Sequence, residues 1–181
     1  MRKTTIYARK RMGTRRIHRA YGMWSELYAS TTKPMPFEKR VHQLSRMWQG
    51  LNAMERAESP SKDDWRVCSD AVNIMETLIT TNDGHWLDCD GGTVHVQDAN
   101  GLLMDAITAM ALAGKRNLEG KNIRLDAKGL VAVRGVLEDY ALILETLPER
   151  ELVKAHRLTE KRIIDMLEGR AKPHDVEIID L

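Results

Sequence analysis

At 181 residues, with 43% apolar and 30% charged residues, the chain is sized for one ordinary domain with a core of its own and is short for two. The two cysteines, Cys68 and Cys89, make neither a disulfide framework nor a CxxC motif, and no run approaches the roughly 18 apolar residues that a membrane span requires. The net charge of +2 conceals a division: eight of the 28 basic residues precede the first acid, Glu26, which leaves 20 basic against 26 acidic residues, a net of −6, for the rest of the chain.

Residues 1–19 read as a basic arm, because ARKRMGTRR combines Gly, Thr and dense positive charge that repels itself in a compact fold. No apolar segment of signal-peptide type follows, so a secretory signal is not expected and a reducing cytoplasm is the expected setting. Ile17, Tyr21, Trp24 and Tyr28 then fall at helical spacing and predict a short helix that ties the arm to the body. Pro34 and Pro36 interrupt the helical pattern. From Phe37 the positions Val41, Leu44, Trp48, Leu51 and Met54 predict a second helix, with Lys39, Arg40, Gln43 and Arg46 on or near its outer face.

The clearest element runs from Ser61 to Thr81. Trp65, Cys68, Val72, Met75 and Ile79 form one stripe, with Ala71 and Leu78 on its flank. Ser61 and Asp64 have the form of a capping box, and Asp63 and Asp64 suit the first turn of the helix dipole. With the helix before it, this segment predicts an antiparallel hairpin. Residues 82–98 break the pattern with Gly84, Gly91 and Gly92, and read either as a small β-hairpin turning at Asp90-Gly91-Gly92 or as irregular loop. Leu102 to Ala111 mark another helix, capped by Asp98 and ended by Gly114. After a charged connection, Asp126 precedes a helix carrying Leu130, Val133, Leu137, Leu144 and Leu147. Pro148 ends or kinks it. A last helix runs from Glu149 to Gly169 with Leu152, Ala155, Thr159 and Ile163 inside, and residues 171–181 form an acidic tail with Val176, Ile178 and Ile179 as anchors. The expected fold is all-α: a single-domain bundle of five to six helices over residues 20–170, with the basic arm and one Gly-rich loop or small hairpin.

The search for chemistry starts with metal. His85, Asp88, Cys89, Asp90, His95 and Asp98 crowd one loop and each can ligate, but their spacing matches no zinc pattern. As a calcium loop starting at Asp88, the stretch has Thr93 where Gly is needed and Ala99 where an acid is needed. A polar surface loop with no metal is therefore the expectation, and no cofactor is expected. GxxxxGK[ST], GxGxxG, HExxH and GxSxG are all missing. Cys68, on an apolar stripe, reads as an inert core residue, and His18 and His156 have no obvious partner. A non-catalytic protein follows. The dense positive charge makes Arg9, Lys10, Arg11, Arg15, Arg16 and Arg19 candidate phosphate contacts to DNA or RNA, beside aromatics able to stack on bases. The alternatives are a solubilising tail or an arm for an acidic protein surface, including that of a second copy in a homodimer. No helix-turn-helix stands out.

The head RKTTIYARKR, the segment DDWRVCSDAVNIMETL and the distal helix after IRLDAKGLVAVRGVLEDY resemble a family of small proteins encoded by phages and mobile elements, some members of which carry the label "Fis-like regulator". The matching polar positions include Asp64, Trp65, Asp70 and Asn73. The resemblance implies a bacterial cytoplasmic setting and a mobile-element origin. It also implies a regulator, or an inhibitor of host machinery of the anti-defence or anti-CRISPR type.

Overall fold

The computed structural model describes residues 3–6, 32–56, 60–170 and 176–179. The helical bundle expected from the sequence is present. Among the described residues the helices are α1 (Phe37–Arg56), α2 (Lys62–Thr80), α3 (Leu103–Leu118), α4 (Ala127–Thr146) and α5 (Glu149–Leu167). Two pairs of short strands accompany them: β1 (Lys3–Ile6) lies parallel to β4 (Val176–Ile179), and β2 (His85–Leu87) lies antiparallel to β3 (Thr93–His95). The helix expected over Ile17–Tyr28 falls outside the described residues.

Helix α2 is the element the others share, and it packs against α1, α3, α4 and α5. Its start is fixed locally. The Ser61 hydroxyl accepts from the Asp64 N–H at 3.1 Å, and the Asp64 carboxylate accepts from the Ser61 N–H at 2.9 Å, which closes the capping box. Trp65, Cys68, Val72, Ile74, Met75 and Leu78 are all buried, and full burial of such an apolar side chain contributes about 1.5–3 kcal/mol. Burial also passes beyond the apolar stripe. Ser69, Asn73 and Thr77, one polar ridge at four-residue spacing, are closed off as well. Against this ridge lies α5, where the Thr159 hydroxyl sits 2.7 Å from that of Thr77, and Thr77 in turn donates to the Asn73 carbonyl at 3.0 Å. Buried hydroxyls joined in this way keep their hydrogen bonds and stay compatible with the core.

Two glycines set how closely helices approach. A Cβ at Gly50 would stand 2.7 Å from the Asp64 carbonyl oxygen, so α1 touches the backbone of α2 there; one at Gly129 would stand 2.6 Å from the Ala109 Cβ, where α4 crosses α3. Burial along α1 is graded around this contact. Its buried residues are Met47, Gly50, Leu51 and Met54, while Val41 is exposed and Leu44 and Trp48 are only half-buried. Of the expected stripe, Leu51 and Met54 are buried and Leu44 and Trp48 pack against the core at its margin, while Val41 is corrected to an exposed position. Gln43 is corrected too: it leans inward, and its Nε2 donates to the buried Tyr140 hydroxyl at 2.7 Å.

Gly114 does not end α3. It is buried inside the helix, which continues to Leu118 and stops at Gly120, where φ is 75°. There the Lys121 N–H reaches back to Arg116 O at 2.9 Å and the Gly120 N–H to Asn117 O at 3.0 Å, the paired bonds of a Schellman ending. At Pro148 the chain breaks between α4 and α5 without continuing helical, because Pro148 caps α5 from an extended conformation and bridges Pro34. The residues read as arm and tail contain the pairing of β1 with β4, in the register Lys3 to Val176 and Ile6 to Ile179. Short runs rich in β-branched residues, TTI and VEII, account for it.

The Gly50 contact yields a direct test. Alanine gains about 1 kcal/mol over glycine in helix propensity, but a Cβ forced against a backbone oxygen costs about 1–3 kcal/mol. Gly50→Ala should therefore lower the urea unfolding midpoint. Gly135→Ala should lose less or gain, since its Cβ meets only the movable tip of Leu102.

Candidate functional site

The six candidate phosphate contacts, Arg9, Lys10, Arg11, Arg15, Arg16 and Arg19, lie outside the described residues. What the described body shows is how its own basic side chains are placed. Lys39 lies 3.2 Å from Glu149, Arg40 3.7 Å from Glu145, Lys128 3.0 Å from Asp105, Arg134 3.0 Å from Glu55 and Arg162 2.8 Å from Glu76. Several of these pairs join different helices. The solvent-exposed pair Lys128–Asp105 adds only about 0–1 kcal/mol, and a consequence common to all five is cancellation of local positive charge.

One concavity among the described residues lies between α1, α2, α4 and α5. Its floor is apolar, made by Met47, Val67, Ala71 and Ile74, and its polar lining is His42, Gln43, Arg46, Asp70, Tyr140 and His156, around a volume of about 310 Å³. A second depression of about 250 Å³ shares Gln43 and His156 and adds Met35, Glu149, Leu152 and Val153. The Gln43 amide is oriented by Tyr140, and Glu149 is engaged by Lys39. Apolar floor, two imidazoles, a guanidinium, a phenol and a carboxylate suit recognition of a polar group by hydrogen bonds. Of these residues, the sequence places Gln43 and Arg46 on or near the outer face of a helix, marks Asp70 among the polar positions of the resemblance and leaves His156 unassigned, and it brings none of them together. The signal for the rest lay in tertiary packing, since α1, α2, α4 and α5 contribute to one cleft from positions about a hundred residues apart.

Neither cysteine has the setting of a nucleophile. Cys68 is fully buried against α1 and donates to Met47 O at 3.6 Å; burial, and then the nearby Asp64 charge, push its thiol up to about 12. Cys89 donates to Thr146 O at 3.4 Å, and its thiol is also raised, first by partial burial and then by Asp90 and Asp88.

The loop of candidate ligands resolves into separate tasks. The Asp88 carboxylate accepts from the N–H groups of Asp90 and Gly92 at 2.9 and 2.7 Å and so shapes the turn of the β2–β3 hairpin. Asp98 caps α3, accepting from Leu102 and Leu103 at 2.9 and 3.1 Å. His85 and His95 face each other across the hairpin. No group of three or more His, Cys, Asp or Glu side chains converges for a metal ion among the described residues. Nor is any described helix long and apolar enough to cross a membrane. The chain matches no protein-family model, no curated protein and no solved structure.

The acids on the neighbouring face of α4 carry a titration signature. The Asp139 carboxyl is raised above the ordinary aspartate range by partial burial first, then by Asp98 and Glu138. An acid raised in the folded state binds its proton more tightly there than when unfolded, so ionisation at neutral pH weakens the fold and acid relieves the loss. Asp139→Asn should raise the thermal midpoint at pH 7. That gain should shrink as pH falls through the aspartate range, which a series of melting curves would follow.

Proposed function

We propose that this chain is a non-enzymatic nucleic-acid-binding accessory or regulatory protein of the phage and mobile-element type, acting in the bacterial cytoplasm. It grips DNA or RNA through its Arg/Lys-rich N-terminal head, with Arg9, Lys10, Arg11, Arg15, Arg16 and Arg19 contacting phosphate. The observation that carries this reading is the distribution of charge. Eight basic residues precede the first acid, while the remainder carries a net of −6 and many of its described lysines and arginines are held by carboxylates of the same molecule. Along the sequence, positive charge is therefore densest in the head, where it would displace counterions from a polyanion. A bundle with net negative charge gives such a head little competition for phosphate and helps keep the contact at one end of the chain.

A second reading is a protein–protein inhibitor of host machinery, of the anti-defence type, acting through the helical body. It is favoured by the outer face of α4, where Val131 and Leu142 stand 65% and 62% exposed, and by Leu112 and Leu118 on α3. Large apolar side chains left in water are used at interfaces, with a host complex or with a second copy.

Fluorescence anisotropy with labelled duplex DNA and single-stranded RNA across a salt series separates the two. The intact chain should bind at low salt and weaken steeply as salt rises. Replacing the six named residues by alanine should flatten the logarithmic salt slope, by up to about 0.9 for each duplex phosphate contact removed. Binding that is absent at low salt, or unaltered by the six substitutions, would overturn the nucleic-acid reading. A host protein recovered with the chain after nuclease treatment would favour the inhibitor.

A further inference from the structure

We infer that His85 and His95 form a two-imidazole site for a late divalent transition-metal ion, with Cu²⁺ the strongest binder and Ni²⁺ and Zn²⁺ weaker. The sequence separates these residues by ten positions and gives no ligand spacing. The hairpin register sets them directly opposite one another, on the same face of β2 and β3. Their rings stack with centroids 4.7 Å apart and planes inclined by 19°. Both side chains are exposed, and among the described residues no hydrogen bond or ion pair engages either ring.

The surrounding backbone holds the pair in place. Asn82, Asp83 and Gly84 have φ of 52°, 52° and 77°, which turns the chain sharply out of α2 into β2. The Gly84 carbonyl accepts from the Val96 N–H at 2.8 Å, and the Trp86 indole between the two arms is buried and donates to Leu78 O at 2.7 Å. Gly84 also makes the seat for one ring, because a Cβ there would lie 3.0 Å from His95 Cδ2 and 3.2 Å from its Nε2. An ion bound by two imidazoles at about 2.0–2.1 Å needs two ring nitrogens roughly 3 Å apart. In the stacked arrangement the nitrogen lone pairs lie in nearly parallel planes, so binding requires the rings to turn about χ2, a broad torsion for histidine, and aim one nitrogen each at a shared ion. Imidazole suits copper, nickel and zinc, and among these ions at one nitrogen site copper binds most tightly. Water completes the coordination. The site uses neither Cys89 nor the aspartates already committed to the turn and the helix cap.

Titration of the intact chain with Cu²⁺ in a non-chelating buffer, followed by calorimetry and electron paramagnetic resonance, tests this site. The wild type should bind one ion saturably with the spectral signature of nitrogen ligation. His85→Gln and His95→Gln should each weaken binding by about tenfold or more, because the second imidazole acts at high effective concentration only while the first is present. Melting curves without metal establish that each variant is folded; should one fail to fold, the nitrogen signature of the wild type and the remaining variant decide. Absence of saturable binding, a wild-type spectrum without nitrogen ligands, or loss of less than tenfold in a folded variant would overturn the assignment.

Discussion

The structure depends on the enclosure of α2. Trp65 shows the constraint most directly: its ring is fully buried, and its indole N–H donates to Met110 O of α3 at 2.9 Å. A large aromatic surface and a polar handle are satisfied together, which fixes the spacing and the rotation of two helices at once. At the far end of the same helix, the Leu78 carbonyl accepts the Trp86 indole and so ties down the hairpin. Between these two anchors α1 closes over Cys68 through Gly50, and α5 closes over the Thr77 ridge through Thr159. A helix held on all sides leaves its neighbours few independent ways to move.

Much of this order is legible in the residues themselves. The Ser61 capping box, the prolines at 34, 36 and 148, and the apolar periods of α4 and α5 give helix number, order and most boundaries. What escapes is whatever depends on a neighbour. The burial of Ser69, Asn73 and Thr77 has no sign in their polarity, and α5 reaches two of them, through Thr159 to Thr77 and Arg162 to the Asn73 carbonyl. Gly114 reads as a stop, yet it lies buried within the helix, and the real ending uses the positive φ that Gly120 supplies. For α1, three large side chains at regular spacing outweigh one glycine on paper. In the fold Gly50 lies at the closest approach to α2, with Met47, Leu51 and Met54 buried beside it and Leu44 and Trp48 at the margin.

The same distinction governs function. Charge along a chain is visible without a structure, so the contrast between head and body can be read at once. The cancellation of body cations by carboxylates on other helices cannot, because Arg134 meets Glu55 and Lys39 meets Glu149 across long stretches of sequence. The cleft beneath His42 and His156 and the facing imidazoles of the hairpin likewise exist only through packing and strand register.

If enclosure of α2 is what holds the bundle together, its central amides cannot open without the rest of the body. Native-state hydrogen exchange tests that claim most directly. The amides from Val72 to Thr77 should exchange only through global unfolding, with an opening free energy equal to that obtained from urea denaturation of the same chain. Exchange of those amides at a clearly lower free energy than the whole body, or at the same low value as the exposed turns of the hairpin, would contradict it.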